Sequence, residues 1–115
     1  MKILVVDDNE DGAMMLGDVL TARGHETFVA LDGLNALKLA ETHVPDIALL
    51  DLGLPGMDGF ELARRLRTIP ALAAIKLVAL TGYGQDSDRQ KTRDAGFDHH
   101  LVKPVTIATI EKILG

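Results

Sequence analysis

Short apolar runs punctuate this chain, and most of them end in a polar or charged residue. Ile3 to Val6 runs into Asp7 and Asp8, Ile47 to Leu50 into Asp51, Leu77 to Leu80 into Thr81, and Leu101-Val102 into Lys103. Runs this short, without alternation and rich in branched side chains, predict strands buried on both faces. Thr27 to Ala30 predicts a weaker strand that ends without a polar group. The segments between them carry helical spacing. Asp11 to Arg23 predicts a helix with Leu16, Val19 and Leu20 on one face, closed by Gly24. Asp32 is placed to cap a helix through Thr42 that turns Ala36, Leu37 and Ala40 inward, and Pro45 bars its extension. Asp58 with Glu61 opens a helix through Arg67, which Ile69-Pro70 stops. Asp86 to Ala95 predicts a polar helix closed by Gly96, and Thr106 a last helix with Ile107, Ile110 and Leu114 in one stripe.

Strands and helices thus alternate, five of each. Strands apolar on both faces need helices on both sides, so the expected architecture is an α/β three-layer sandwich around a parallel sheet. In such a sheet, ligands bind outside the carboxyl ends of the strands. The residues expected at that edge are Asp7, Asp8, Asp51, Thr81 and Lys103. A single Asp after a strand is ordinarily a turn former or helix cap. Four strand ends offering carboxylates, a hydroxyl and an ammonium together form a pattern. Adjacent carboxylates about 4 Å apart repel by roughly 1 kcal/mol in water and roughly 4 kcal/mol near a protein surface, which calls for a cation. Mg²⁺ takes one or two carboxylates plus water and phosphate oxygens. A carboxylate can also accept a phosphoryl group as a nucleophile. A lysine and a hydroxyl would then match the new charge.

Composition narrows this further. The 115 residues predict one domain, residues 1–115. Aromatics make up 3% and Trp is absent, so the core is aliphatic. A net charge of −5 argues against a nucleic-acid partner, which favours a basic face. With no Cys there is no thiolate metal site and no disulfide. No apolar run has the length of a membrane span and no signal-peptide pattern is present, so a cytoplasmic domain without direct membrane contact is expected.

Other readings fit less well. Asp7, Asn9, Asp11 and Gly12 match a calcium loop, but the last ligand would be Asp18 instead of a bidentate Glu, and no helix precedes it. A phosphatase of the haloacid-dehalogenase kind also uses an aspartyl nucleophile with Mg²⁺, Thr/Ser and Lys. Its nucleophile sits in an Asp-x-Asp motif after the first strand, where this chain has adjacent aspartates. A flavin module needs a phosphate loop after that strand, and DDNED would repel phosphate.

The motifs ILVVDDNE, LLDLGLPGMDG, ALTG and LVKP, in this order and spacing from Lys2 to the last helix, resemble the receiver domain of two-component response regulators. The phrases DLGLPGMDG, LTGYGQ and GFDHHLVKPV look most like receivers of hybrid sensor histidine kinases. The resemblance implies a flavodoxin-like fold with strand order 2-1-3-4-5. It implies Asp51 as phosphoacceptor, supplied by a histidine kinase or histidine phosphotransfer protein. Asp8, Asp51 and the Gly53 carbonyl would hold Mg²⁺, with Asp7 assisting. Thr81 and Lys103 would sense the phosphoryl group and pass the change to a downstream protein. A degenerate receiver acting as a phosphate-independent binding module is the alternative. The Lys103-Pro104 bond is cis in the family. Gly53 and Tyr83 flank the family's phosphoryl site, Gly53 leaving one side open to water and Tyr83 shielding the other.

The histidines divide by position. His25 and His43, near helix ends, are expected in solvent. His99 and His100 are adjacent on a strand, so they point to opposite faces and cannot chelate one metal. His100 stands three before Lys103, where family members usually carry Tyr or Phe that turns inward on activation. An imidazole changes charge near neutral pH.

Overall fold

The computed structural model describes residues 1–82 and 86–114, with side chains left aside at 86–89. The described residues form β1 (Lys2–Val6), α1 (Glu10–Ala22), β2 (Glu26–Ala30), α2 (Gly33–His43), β3 (Ile47–Asp51), α3 (Gly59–Thr68), β4 (Lys76–Thr81), α4 (Asp86–Asp94), β5 (His99–Val102) and α5 (Ile107–Leu114). Every strand pairs in parallel, in the order β2-β1-β3-β4-β5. This is the alternating three-layer architecture that the apolar runs imply.

The sheet divides two apolar layers. Leu4, Val6, Ala48, Leu50, Leu77 and Ala79 face α2, α3 and α4. Ile3, Val5, Ile47, Leu49, Val78 and Leu80 face α1 and α5. Successive residues of the inner strands β1, β3 and β4 alternate between these layers, and both of their faces are packed with apolar side chains. Polar side chains are therefore displaced to the strand ends.

Caps fix the helix starts. The Asn9 side chain accepts the Gly12 N–H at 3.1 Å, Asp32 the Asn35 N–H at 2.8 Å, and Asp58 the Glu61 N–H at 2.9 Å. Asn9 therefore starts α1 earlier than the Asp11 that the spacing suggests. The inner face of α1 also differs. Ala13, Gly17 and Leu20 are buried, while Val19 stays exposed. The cause is Gly17: a Cβ there would come within 3.1 Å of Val29, so the missing side chain lets α1 settle on β2 along that line. The stop at Ile69-Pro70 is followed by a 3₁₀ turn, Pro70–Leu72, whose Leu72 is buried in the core. His43 is not solvated as expected. Its ring stacks on Phe28 with centroids 4.1 Å apart, because the end of α2 lies over β2. His25 is likewise half-buried rather than in solvent. The Lys103-Pro104 bond is cis, as the resemblance implies.

α2 ends on Val44, a β-branched residue at φ 47°, with its N–H on the Ala40 carbonyl at 2.9 Å. The left-handed conformation costs an L-residue with a Cβ about 1–2 kcal/mol, and Asn tolerates it better. Val44→Asn is therefore expected to raise stability by about 0.5–1 kcal/mol, read from the thermal midpoint.

Candidate functional site

At the carboxyl edge of the sheet, β1, β3, β4 and the end of β5 deliver the expected side chains to one place. Asp7 and Asp51 are each 9% exposed and Thr81 is 6% exposed, whereas Asp8 is open to solvent. Carboxylate oxygens of Asp7, Asp8 and Asp51 all lie within 4.8 Å of one another. The Lys103 ammonium reaches back over them, 2.9 Å from Asp7 Oδ2 and 3.3 Å from Asp51 Oδ2. The Lys103 N–H donates to the Thr81 carbonyl at 2.7 Å, tying these two residues through the backbone. Asp7, Asp8, Asp51, Thr81 and Lys103 thus lie at this edge, and Tyr83 is outside the described residues.

Short-range backbone bonds set the two inner carboxylates. The Asn9 N–H donates to Asp7 Oδ1 at 3.0 Å, so one Asp7 oxygen faces α1 and the other faces Lys103. The Gly53 N–H donates to Asp51 Oδ1 at 2.9 Å. A Cβ on Gly53 would meet that oxygen at 3.6 Å, an ordinary contact, so this side of Asp51 has room. Gly59 is the opposite case. A Cβ there would lie 2.6 Å from the Asp51 carbonyl oxygen and 2.8 Å from Leu52 Cα. The first residue of α3 thus rests directly on the backbone that carries Asp51. Sequence reasoning named Asn9 only as a position of the calcium-loop match, not as the donor that holds Asp7, and it missed Gly59. The Asp-x-Asn spacing was a signal for the first. The second depends on a close approach that no spacing shows.

The two carboxyls respond differently. Burial alone would raise Asp7, but the Asn9 N–H and the Lys103 ammonium outweigh it and hold the carboxyl below its ordinary range. Burial pushes Asp51 up, the charge of Asp7 adds to the push, and the Gly53 N–H and Lys103 offset only part. Burial would lower Lys103, yet the two carboxylates more than compensate and keep it firmly protonated. Three oxygen-bearing carboxylates around one point suit a hard divalent cation of the Mg²⁺ type, which prefers oxygen ligands. Beside the cluster lies a cavity of about 650 Å³ between α1 and the segment after β5, with Met15, Leu16, Val105 and Ile107 on its walls and Asp7 and Lys103 at its end.

A family model for the response regulator receiver domain matches residues 3–115. The chain belongs to the receiver domain family of response regulators. It is 37% identical over 109 residues to sporulation initiation phosphotransferase F of Bacillus subtilis, covering 95% of this chain and 86% of that protein. The chemotaxis protein CheY4 of Vibrio cholerae superposes with a TM-score of 0.93 at 30% identity, covering 98% of this chain and 94% of that one. The receiver domain of a sensor histidine kinase from Pseudomonas aeruginosa PAO1, solved with a magnesium ion coordinated in its active-site cleft, gives a TM-score of 0.88 at 30% identity over 98% and 93% of the two chains. The fold is flavodoxin-like, as in other receivers. No helix among the described residues is long and apolar enough to cross a membrane.

The opposed carboxyl shifts predict opposed pH effects in the metal-free receiver. A carboxyl whose folded pKa is raised costs stability once ionised; that cost is absent below its unfolded value and grows as pH rises through the folded one. Asp51→Asn, which keeps an acceptor for Gly53, should therefore melt higher than the parent at pH 7 in EDTA, with the gain fading below the ordinary carboxylate value of 3.8. Asp7→Asn should melt lower at pH 7, because the stability from a depressed carboxyl is present at neutral pH and lost as pH falls. Thermal melts of both variants across pH 3–7 read the two signs.

Proposed function

We propose that this receiver takes a phosphoryl group onto Asp51 from a histidine kinase or histidine phosphotransfer protein and signals the change to a downstream protein. One observation carries the reading. A nearly buried carboxylate at the end of a central strand has two further carboxylates within 4.8 Å and an ammonium at 3.3 Å. The burial and neighbouring charge that raise Asp51 also make its ionised oxygen a stronger base and nucleophile. That oxygen forms a bond to phosphorus as the bond to the donor breaks, and the donor imidazole leaves. Asp7, Asp8 and Asp51 would hold Mg²⁺, with the Gly53 carbonyl completing the set. When bound, Mg²⁺ neutralises part of the charge on the phosphoryl oxygens.

The chain's own residues do the rest. The Gly53 N–H orients the Asp51 carboxylate. Lys103, already 2.9 Å from Asp7, is the cation that can turn to a new phosphoryl oxygen. Thr81 ends the neighbouring strand, and its hydroxyl would donate to another. The apolar cavity beside Asp7 and Lys103 is the surface over which a donor would approach. The open side at Gly53 admits water and so limits the lifetime of the phosphoryl group. The chain acts on its own carboxylate and turns over no outside substrate. We place it in the cytoplasm as a single domain, residues 1–115, with no direct contact to nucleic acid or membrane.

Incubation with acetyl phosphate and Mg²⁺ should yield one phosphoryl adduct by intact mass. The adduct should vanish in Asp51→Ala and in EDTA. Absence of the adduct together with absence of Mg²⁺ binding would favour a phosphate-independent binding module. The switch itself is marginal in energy. Two charge-assisted hydrogen bonds, from Thr81 and Lys103, supply about 1.5–3 kcal/mol each, whereas moving a two-state equilibrium from 1:99 to 99:1 takes about 5.5 kcal/mol. Thr81→Ala should therefore leave Asp51 phosphorylatable while reducing the amide chemical-shift response to phosphorylation. An undiminished response would refute the role of Thr81.

A further inference from the structure

The loop between β3 and α3 carries the backbone group of the proposed metal set, the Gly53 carbonyl, and it is braced from outside the site. Leu52 leaves the strand with its N–H on the Leu80 carbonyl at 3.0 Å. Leu54 is 5% exposed and enters the α2–α3–α4 layer, and Met57 packs against the same layer. Gly59 then rests on the Asp51 backbone. Gly53 and Gly56 stay exposed between these points, Gly56 at φ 75°. The loop thus has two fixed ends and two apolar anchors.

The Met57 anchor is seated on Gly33, the first residue of α2. A Cβ on Gly33 would lie 2.8 Å from Met57 Sδ, 3.1 Å from its Cβ and 3.2 Å from its Cγ. The sulfur, far along a flexible side chain, can swing away. The Met57 Cβ cannot, because it is bonded to the loop backbone. Gly33 is itself held. It is buried, and Asp32 accepts both the Asn35 N–H at 2.8 Å and the Asn35 side-chain amide at 2.9 Å, which closes the first turn of α2. A methyl group at Gly33 would therefore move the loop, by a few tenths of an ångström, rather than the helix. Pro55, whose ring fixes φ, stiffens the path from Met57 back to Leu54 and Gly53.

We propose that Gly33 and Met57 are a positioning pair for the metal site: the seat of Met57 on α2 sets where the Gly53 carbonyl stands relative to Asp7, Asp8 and Asp51, and thereby favours Mg²⁺ over Ca²⁺. The inference rests on the metal set proposed above. Mg²⁺ demands near-octahedral oxygens at about 2.0–2.1 Å, whereas Ca²⁺ accepts irregular sets at about 2.3–2.6 Å. A loop displaced by a few tenths of an ångström therefore penalises Mg²⁺ first. A general loosening of the fold would weaken both ions alike.

The test is a titration of the unphosphorylated chain with MgCl₂ and with CaCl₂, the dissociation constants being read from the amides of residues 7–9 and 51–53 by NMR. Gly33→Ala should weaken Mg²⁺ about tenfold, the lower end for changes in the shell around a metal's ligands, and Ca²⁺ by clearly less. The same change should cost less Mg²⁺ affinity in a Met57→Ala background, where most of the side chain it presses on is gone. Met57→Leu, close in volume, should keep the parent's preference. If Gly33→Ala fails to fold, Met57→Ala alone serves, since loss of the anchor should also lower Mg²⁺ relative to Ca²⁺. Unchanged Mg²⁺ affinity in these variants, or a parallel loss of both ions, would overturn the pair while leaving the metal set in place. A parent chain that binds neither ion would overturn the metal set and the pair with it.

Discussion

The Lys103 ammonium is the interaction on which the site depends. Three carboxylates with oxygens within 4.8 Å of one another, two of them 9% exposed, would otherwise push the ends of β1 and β3 apart. At an effective dielectric near 20, the inner pair of Asp7 and Asp51 would alone repel by roughly 4 kcal/mol at about 4 Å, a large share of the stability of a domain this size. Lys103 answers this from the end of β5, on the far side of β4, by standing 2.9 Å from Asp7 and 3.3 Å from Asp51. The sheet order makes this reach possible. β3 lies between β1 and β4, so a lysine after β5 and an aspartate after β1 both converge on Asp51.

One cation shared by two anions also makes them unequal. Asp7 receives both the Asn9 N–H and the shorter contact to Lys103, and its negative charge is held. Asp51 has the Gly53 N–H and the longer contact, and it feels Asp7 beside it. The asymmetry suits the proposed division of labour, with a permanently charged carboxylate for a cation and a more basic one for phosphorus. It arises from placement, since the two residues are the same amino acid at nearly the same burial.

Much of this was legible in the sequence because buried parallel strands leave no room for polar residues except at their ends. Ile3 to Val6, Ile47 to Leu50 and Leu77 to Leu80 could only be internal strands, so the residue after each had to be at the ligand-binding edge. The strand order followed from resemblance, since apolar runs do not say which neighbours which. Helix faces were less legible. Val19 looked like a core residue by spacing, but the close seat of Gly17 on Val29 turned α1 so that Val19 was exposed. Gly59 was illegible for a related reason: its role is a backbone-to-backbone approach, and no side-chain pattern encodes that. His43 read as a solvated helix end because its partner, Phe28, is on another element.

The same residue type does opposite work at the two edges of the sheet. At the amino edge, Asp46 accepts the Lys2 N–H at 2.8 Å, and Asp98 accepts the Leu77 N–H at 2.8 Å together with Arg67 at 3.0 Å. Each of these acids closes a strand start and is matched by a donor of its own. Arg67 further binds the carbonyls of Ala73, Ile75 and Gly96, joining α3 to the starts of β4 and β5. At the carboxyl edge, Asp7 and Asp51 share one lysine and Asp8 stands open to solvent beside them, so three carboxylates face one ammonium. A charge imbalance confined to one edge can change without unfolding the sheet, because the opposite edge is pinned by bonds that do not involve it. On the proposed function, that separation would let a phosphoryl group or a cation rearrange Lys103, Thr81 and the loops around them while the core between the layers keeps its packing.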